Sequence, residues 1–160
     1  MDSFGKIIEI LVTTALLFLL PIYYLSLQQD AVCQSQVRTT TSYFVDSVRN
    51  QGYMTRNMYE LFLQELDSTG QVYRVELTYY KKIEVQNEDG EYKTHYELSN
   101  TEDLLSKERS EFQKGGFFKA EVSNCSKPLS AKITDFLLSV DISEKRIYTV
   151  YGGAIRDEIK

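Results

Sequence analysis

Apolar residues occupy residues 7–27 almost without interruption, IIEILVTTALLFLLPIYYLSL, and thereafter occur only periodically. As a helix rising about 1.5 Å per residue, that run is roughly 31 Å long and matches the hydrocarbon core of a bilayer. It predicts a single transmembrane helix. Residues 28–50 contain neither Gly nor Pro, and Cys33, Val37, Phe44 and Val48 recur there at spacings of four, seven and four. That spacing marks one face of a helix. The membrane helix is therefore expected to continue outward as a stalk over 28–52, ending at Gly52, a residue suited to a left-handed C-cap. Thr39, Thr40 and Thr41 lower its intrinsic propensity, so tertiary packing must hold it.

Beyond Gly52 the pattern breaks into short elements. Thr55 as N-cap opens a helix to Asp67 with Met58, Leu61, Phe62 and Leu66 on one face and Gly70 as its stop. Over 71–85, Tyr73, Val75, Leu77, Tyr79, Ile83 and Val85 alternate with Arg74, Glu76, Thr78, Lys82 and Glu84, a half-exposed strand. Asp89-Gly90 is a turn signal and Tyr92, Thr94, Tyr96 and Leu98 alternate after it, which makes a hairpin that protrudes or lies at a sheet edge. Ser99-Asn100-Thr101-Glu102 matches a capping box, with Leu104, Leu105 and Phe112 as the apolar positions of a helix closed by Gly115-Gly116. Phe118, Ala120 and Val122 form a strand. Pro128 and Ser130 open an amphipathic helix carrying Leu129, Ile133, Phe136, Leu137 and Val140, and 146–151 is a final strand broken by Gly152-Gly153. The fold class is α+β: an N-terminal transmembrane helix continuing as a stalk, then a small soluble domain with an antiparallel sheet and short helices. Residues 1–6 are a short leader or cytoplasmic stub, 7–27 the span, 28–52 the stalk and 53–160 the extracytoplasmic domain.

Polar residues inside the span narrow its reading. A carboxylate at the centre of a membrane helix costs about 2.5–3.5 kcal/mol, less near an end, so Glu9 either snorkels to the headgroups or pairs with a neighbouring subunit. Pro21 removes one backbone hydrogen bond and should bend the helix, and Tyr23 and Tyr24 fit an interfacial belt. A cleaved signal sequence is the alternative, but Lys6 is the only base ahead of an overlong core and no A-x-A follows. Lipid attachment at Cys33 fits worse, because Asp30 and Val32 stand where an aliphatic and a small residue are needed. Lys6 and the amino terminus against the distant Arg38 place the large remainder outside the cytoplasm, with the lipid bilayer as the first partner.

With 23 acidic against 18 basic residues and a net charge of −5, the chain is a poor nucleic-acid binder. Twelve Tyr, eight Phe and no Trp suit an exported, strand-rich surface. Cys33 and Cys125 could bridge in an oxidising compartment, but Cys33 falls on a helix near the membrane, so two reduced thiols are expected. His95 is the only histidine, and no Cys or carboxylate stands at ligand spacing around it, so a structural surface role is expected. No phosphate-cradling glycine motif, nucleophile elbow or HExxH is present. Glu102, Asp103, Glu108 and Glu111, interleaved with Lys107 and Arg109, fit a solvated ion-pair face. Asn124-Cys125-Ser126 matches a glycosylation sequon. These residues point away from an enzyme: no catalytic, cofactor-binding or metal-ligating set, no cofactor and no small-molecule substrate are expected.

The layout, together with QVRTTTSYFVDSVRNQGYMTRNMYELFLQELDSTG, KGGFFKAEVSN and the closing IYTVYGGAIRDE, resembles the minor pilins and pseudopilins of tight-adherence (Tad, type IV-related) machinery, in the TadE-like form of Gram-positive bacteria. The resemblance implies an exported subunit whose helix rests in the membrane and then packs into a filament core or its initiating tip beside other pilin or secretion-apparatus subunits. It also implies leader cleavage after a glycine and an acid that meets a neighbour's new amino terminus, for which Gly5, Lys6 and Glu9 stand in comparable places. This chain departs in two respects. Cleavage between Gly5 and Lys6 would put Glu9 one residue earlier than the family's acid, a rotation of about 100°, and the leader MDSFG lacks a base, so an unprocessed anchored accessory is an alternative. Two readings follow: a structural subunit assembling through Glu9, Thr13, Thr14, Ala15 and the bend at Pro21, or a membrane-tethered module that binds a protein through its hairpin and never polymerises.

Overall fold

The computed structural model describes residues 3–86, 92–139 and 147–156. In chain order it contains α1 (Ser3–Gln51), β1 (Tyr53–Thr55), α2 (Arg56–Asp67), β2 (Tyr73–Gln86), β3 (Tyr92–Asn100), α3 (Thr101–Leu105), β4 (Arg109–Glu111), β5 (Phe117–Asn124), α4 (Leu129–Leu138) and β6 (Tyr148–Ala154). The architecture is α+β, a long N-terminal apolar helix followed by a small antiparallel sheet domain with short helices. Two compact units divide the chain: Met1–Cys33 with Lys127–Arg146, and Gln34–Ser126 with Ile147–Lys160. α1 contributes to both.

In the second unit, β3, β2, β5 and β6 lie side by side in that order, every neighbour antiparallel. Period-two alternation puts Leu77 and Tyr79 of β2 and Phe118, Ala120 and Val122 of β5 on the buried face. Against it pack α2, through Phe62 and Leu66, and residues 34–51 of α1, through Val37, Phe44, Val45 and Val48. Aromatic rings knit the three elements: Phe44 stacks on Phe62 at 4.3 Å and meets Phe118 edge-on at 6.2 Å. Residues 34–51, expected as the outer part of a stalk, are therefore the core helix of this unit. Thr41 is fully buried within it and donates its hydroxyl to the Val37 carbonyl at 2.7 Å, so the Thr run leaves no orphaned group at that position. The helix ends at Gln51 and Gly52 adopts φ 73°, its N–H bonding the Val48 carbonyl at 2.9 Å.

Several short elements differ from the sequence expectation. Thr55 caps α2 through the Met58 N–H as expected, but Leu61 is exposed, and residues 53–55 also form a strand paired with β4, where Arg109 lies 3.9 Å above the Tyr53 ring. The capping residue of α3 is Asn100, not Ser99, its N–H bonding the Asp103 carboxylate. α3 also stops at Leu105 instead of reaching Phe112, because Ser106 turns back onto Asp103, Ser110 bonds the Leu104 carbonyl, and 109–111 enter the pairing with β1. The acidic residues 102–111 consequently do not share a helix. β6 passes through Gly152-Gly153 unbroken. A Cβ at Gly152 would lie 2.9 Å from the Phe118 carbonyl oxygen and one at Gly153 would strike the Arg49 guanidinium, so both glycines permit close approach and do not end the strand. The Asp89-Gly90 turn and Val140 lie outside the described residues.

In the first unit, residues 4–18 of α1 are exposed at every position, Ile10, Leu17 and Phe18 at 67, 65 and 64%, whereas Leu19, Tyr23 and Leu27 are half-buried and Ser26 is buried. Pro128, lacking both an N–H and a capping side chain, stands at the N-cap of α4. Asp30 of α1 supplies the missing cap, accepting the Ser130 N–H at 3.3 Å. The apolar stripe expected to pack α4 into a core is largely exposed: Leu129, Phe136 and Leu137 face outward, while Ser130 and Ala131 are buried.

Candidate functional site

α1 is one helix long and apolar enough to cross a membrane, with a mean hydropathy of 2.1 over its most apolar 18-residue window. Gly5, Lys6, Glu9, Thr13, Thr14, Ala15 and Pro21 all lie exposed on its surface. At 100° per residue Gly5, Lys6, Glu9 and Thr13 fall within one arc of about 100°; Thr14 and Pro21 share a second face, and Ala15 stands on a third. The small-residue patch is thus a band around the helix and not one docking stripe. Thr14 lies in a shallow apolar groove between Ile7, Ile10 and Leu11. Its hydroxyl donates to the Ile10 carbonyl at 2.7 Å, and Ser26 likewise to Ile22 at 2.8 Å, so these hydroxyls are satisfied within the helix. Pro21 withdraws one donor from the ladder without ending the helix. Of the four stripe residues, Val37, Phe44 and Val48 belong to the core of the sheet unit and Cys33 to the first unit, buried and accepting from Gln29 at 3.6 Å. Cys125 is an exposed thiol.

The sheet unit presents two unlike edges. The Leu77 N–H donates to the Thr101 hydroxyl at 2.7 Å and the Leu77 carbonyl accepts from it at 3.3 Å, so the backbone groups of odd-numbered positions of β2 face the β3 side. Through the Ile83↔His95 register, odd positions of β3 pair inward and Thr94, Tyr96 and Leu98 direct their backbone groups outward. No hydrogen bond from any described residue reaches those outward groups, and the three side chains are exposed. The opposite edge is closed by α1. Gln34 bonds both the N–H and the carbonyl of Tyr148, at 3.3 and 3.1 Å. Arg49, held by Asp46 at 2.6 Å, donates to the Ala154 carbonyl at 3.0 Å, while its own carbonyl accepts the Arg156 N–H at 2.9 Å. Sequence reasoning missed Gln34 and Arg49, which stand among many other polar residues of α1 and are not singled out by spacing.

A polar groove of about 450 Å³ lies beside β3, lined among others by Tyr79, Lys81, Glu97, Asp103, Lys107 and Glu111. Lys81 and Glu97 pair across it at 3.7 Å, both substantially exposed. In the groove's lining the Tyr79 hydroxyl accepts the Gln113 N–H at 2.9 Å, and burial pushes its pKa above the ordinary phenol value, that bond offsetting part of the rise. His95 is exposed on β3, opposite Ile83. Among the described residues no three His, Cys, Asp or Glu side chains converge on a point where a metal could sit. What the geometry offers is surface: an apolar helix exposed on every side over residues 4–18, and one open strand edge. Comparison with protein-family models, with curated proteins and with solved structures returns no match.

Proposed function

We propose that this protein is a non-enzymatic, membrane-anchored subunit of the TadE-like minor pilin or pseudopilin type, spanning the membrane once with residues 7–27 and holding its sheet unit outside the cytoplasm. The observation that carries the reading is the unequal treatment of one helix. Over 34–51, α1 buries a single face in its own domain, whereas residues 4–18 are exposed at every position. So large an exposed apolar surface requires lipid or neighbouring helices around it. Within that surface Glu9 is an exposed carboxylate whose desolvation a cationic neighbour in an assembly would offset.

Glu9→Ala is the test. It should leave membrane insertion intact or improved and reduce co-purification with assembled surface filaments, compared at matched membrane levels. Undiminished incorporation would refute the pairing role. The open edge of β3 favours a second reading, a membrane-tethered module that takes up a strand from a partner protein; under it Glu9→Ala changes insertion alone.

A further inference from the structure

Apart from the transmembrane segment, the most outward-facing apolar surface of the first unit is on α4. Leu129, Ile133, Phe136 and Leu137 fall within an arc of about 100° on its helical wheel. Phe136 is 79% accessible, Leu129 54% and Leu137 42%. Ala131, on the opposite side, is fully buried, so this helix is inverted relative to a core helix: its small residues face the protein and its large ones face away.

The position of α4 indicates what covers that face. Its first turn is tied to Asp30 by the Ser130 N–H. Asp30 lies three residues after Leu27, the last residue of the apolar run, which is about 4.5 Å along the axis. The headgroup layer is about 5–7 Å deep on each side of the hydrocarbon. Six residues before Asp30 the exposed ring of Tyr24 accepts at its hydroxyl from the Gln28 side-chain amide at 3.0 Å, the arrangement of an interfacial tyrosine. Lys132 is exposed at the margin of the apolar arc, where its stem can lie along lipid and its ammonium reach a phosphate. Lys127 and Asp135 pair with each other at 2.8 Å, Asp135 standing outside the arc.

We propose that α4 is an interfacial helix that lays Leu129, Ile133, Phe136 and Leu137 into the headgroup–acyl boundary at the C-terminal end of the span, with the membrane surface as its ligand. This rests on the membrane-anchored reading above, and adds a second, monotopic contact to the single span. Asp30 is the positioning residue, because it fixes the start of α4 at headgroup depth.

The chain has no Trp, so one introduced Trp reports alone. Phe136→Trp, Leu17→Trp and Tyr43→Trp are each made in the full chain and reconstituted in phosphatidylcholine–phosphatidylglycerol vesicles. Emission is then quenched either by lipids brominated near the glycerol end of the acyl chain or by aqueous iodide. All three positions are strongly exposed, so the substitutions remove little packing. Phe136→Trp should emit to the blue and lose intensity to bromolipid as Leu17→Trp does, while Tyr43→Trp responds to iodide only. If Leu17→Trp is quenched by bromolipid and Phe136→Trp behaves like Tyr43→Trp, the interfacial role is overturned and the membrane anchor stands. If neither is quenched by bromolipid, both readings fall. If Phe136→Trp is shielded from both quenchers, α4 is covered by protein and the lipid assignment is wrong.

Discussion

Removing residues 34–52 should unfold the sheet unit, although they precede its first strand and continue the long apolar N-terminal helix. Val37, Phe44, Val45 and Val48 are each at most 5% accessible. At about 1.5–3 kcal/mol per buried side chain they contribute roughly 6–12 kcal/mol, against a net stability of about 5–15 kcal/mol for a whole domain. The same deletion strips Gln34 and Arg49 from the β6 edge and uncovers its backbone groups. A fragment of residues 34–160 should therefore unfold cooperatively in urea, followed by circular dichroism, whereas one of residues 53–160 should show no cooperative transition. Phe44→Ala within the longer fragment grades the effect. It loses the stack on Phe62 and the edge contact with Phe118, and should cost about 3–5 kcal/mol. A shorter fragment that melts at the same urea concentration as the longer one would refute the assignment of 34–51 to the core and restore it as a stalk.

Gly152→Ala should destabilise the sheet unit by about 1–3 kcal/mol, because the added methyl meets the Phe118 carbonyl and the Lys119 backbone; thermal melting should find it well below Gly5→Ala, whose Cβ meets nothing. Alkaline titration should weaken the fold. Burial raises the pKa values of Tyr79 and Tyr59 above 10.0, so the unfolded chain loses its phenolic protons first and stability, full below pH 10, declines as pH rises past it. Tyr79→Phe should flatten that decline, read as the slope of the unfolding free energy against pH.

Much of the fold was legible because its elements declare themselves locally. The N-cap at Thr55, the stop at Gly52 and the alternation of β2 and β5 each follow from residue chemistry within a few positions, and the structure has them there. Elements that depend on distant partners were misread. β1 and β4 are three residues each and exist because they pair across the chain, a relation that no periodicity carries. The apolar positions of α4 have helical spacing whichever way they face, and only the burial of Ser130 and Ala131 against the exposure of Leu129 and Phe136 shows which side is turned inward. Among the candidate assembly residues, spacing at 100° per residue already separates Glu9 and Thr13 from Thr14 and Ala15 around the circumference.

One distinction was present in the sequence and decides how α1 works. Up to Leu27 the helix is apolar around its whole circumference; from Cys33 onward apolar residues return only along one stripe. A stripe can be covered by a single sheet face, and here it is, with Phe118 behind Phe44. A full circumference cannot be, because one neighbouring element removes only a fraction of it from water. Burying both parts of α1 in the same kind of environment would leave either the apolar band in water or the polar flank of 34–51, with Gln34 and Arg49 on it, in hydrocarbon. Under the proposed function the helix has two surroundings, a folded domain for its second half and lipid or like helices for its first. The change from one to the other falls between Leu27 and Cys33, where Asp30 holds the start of α4.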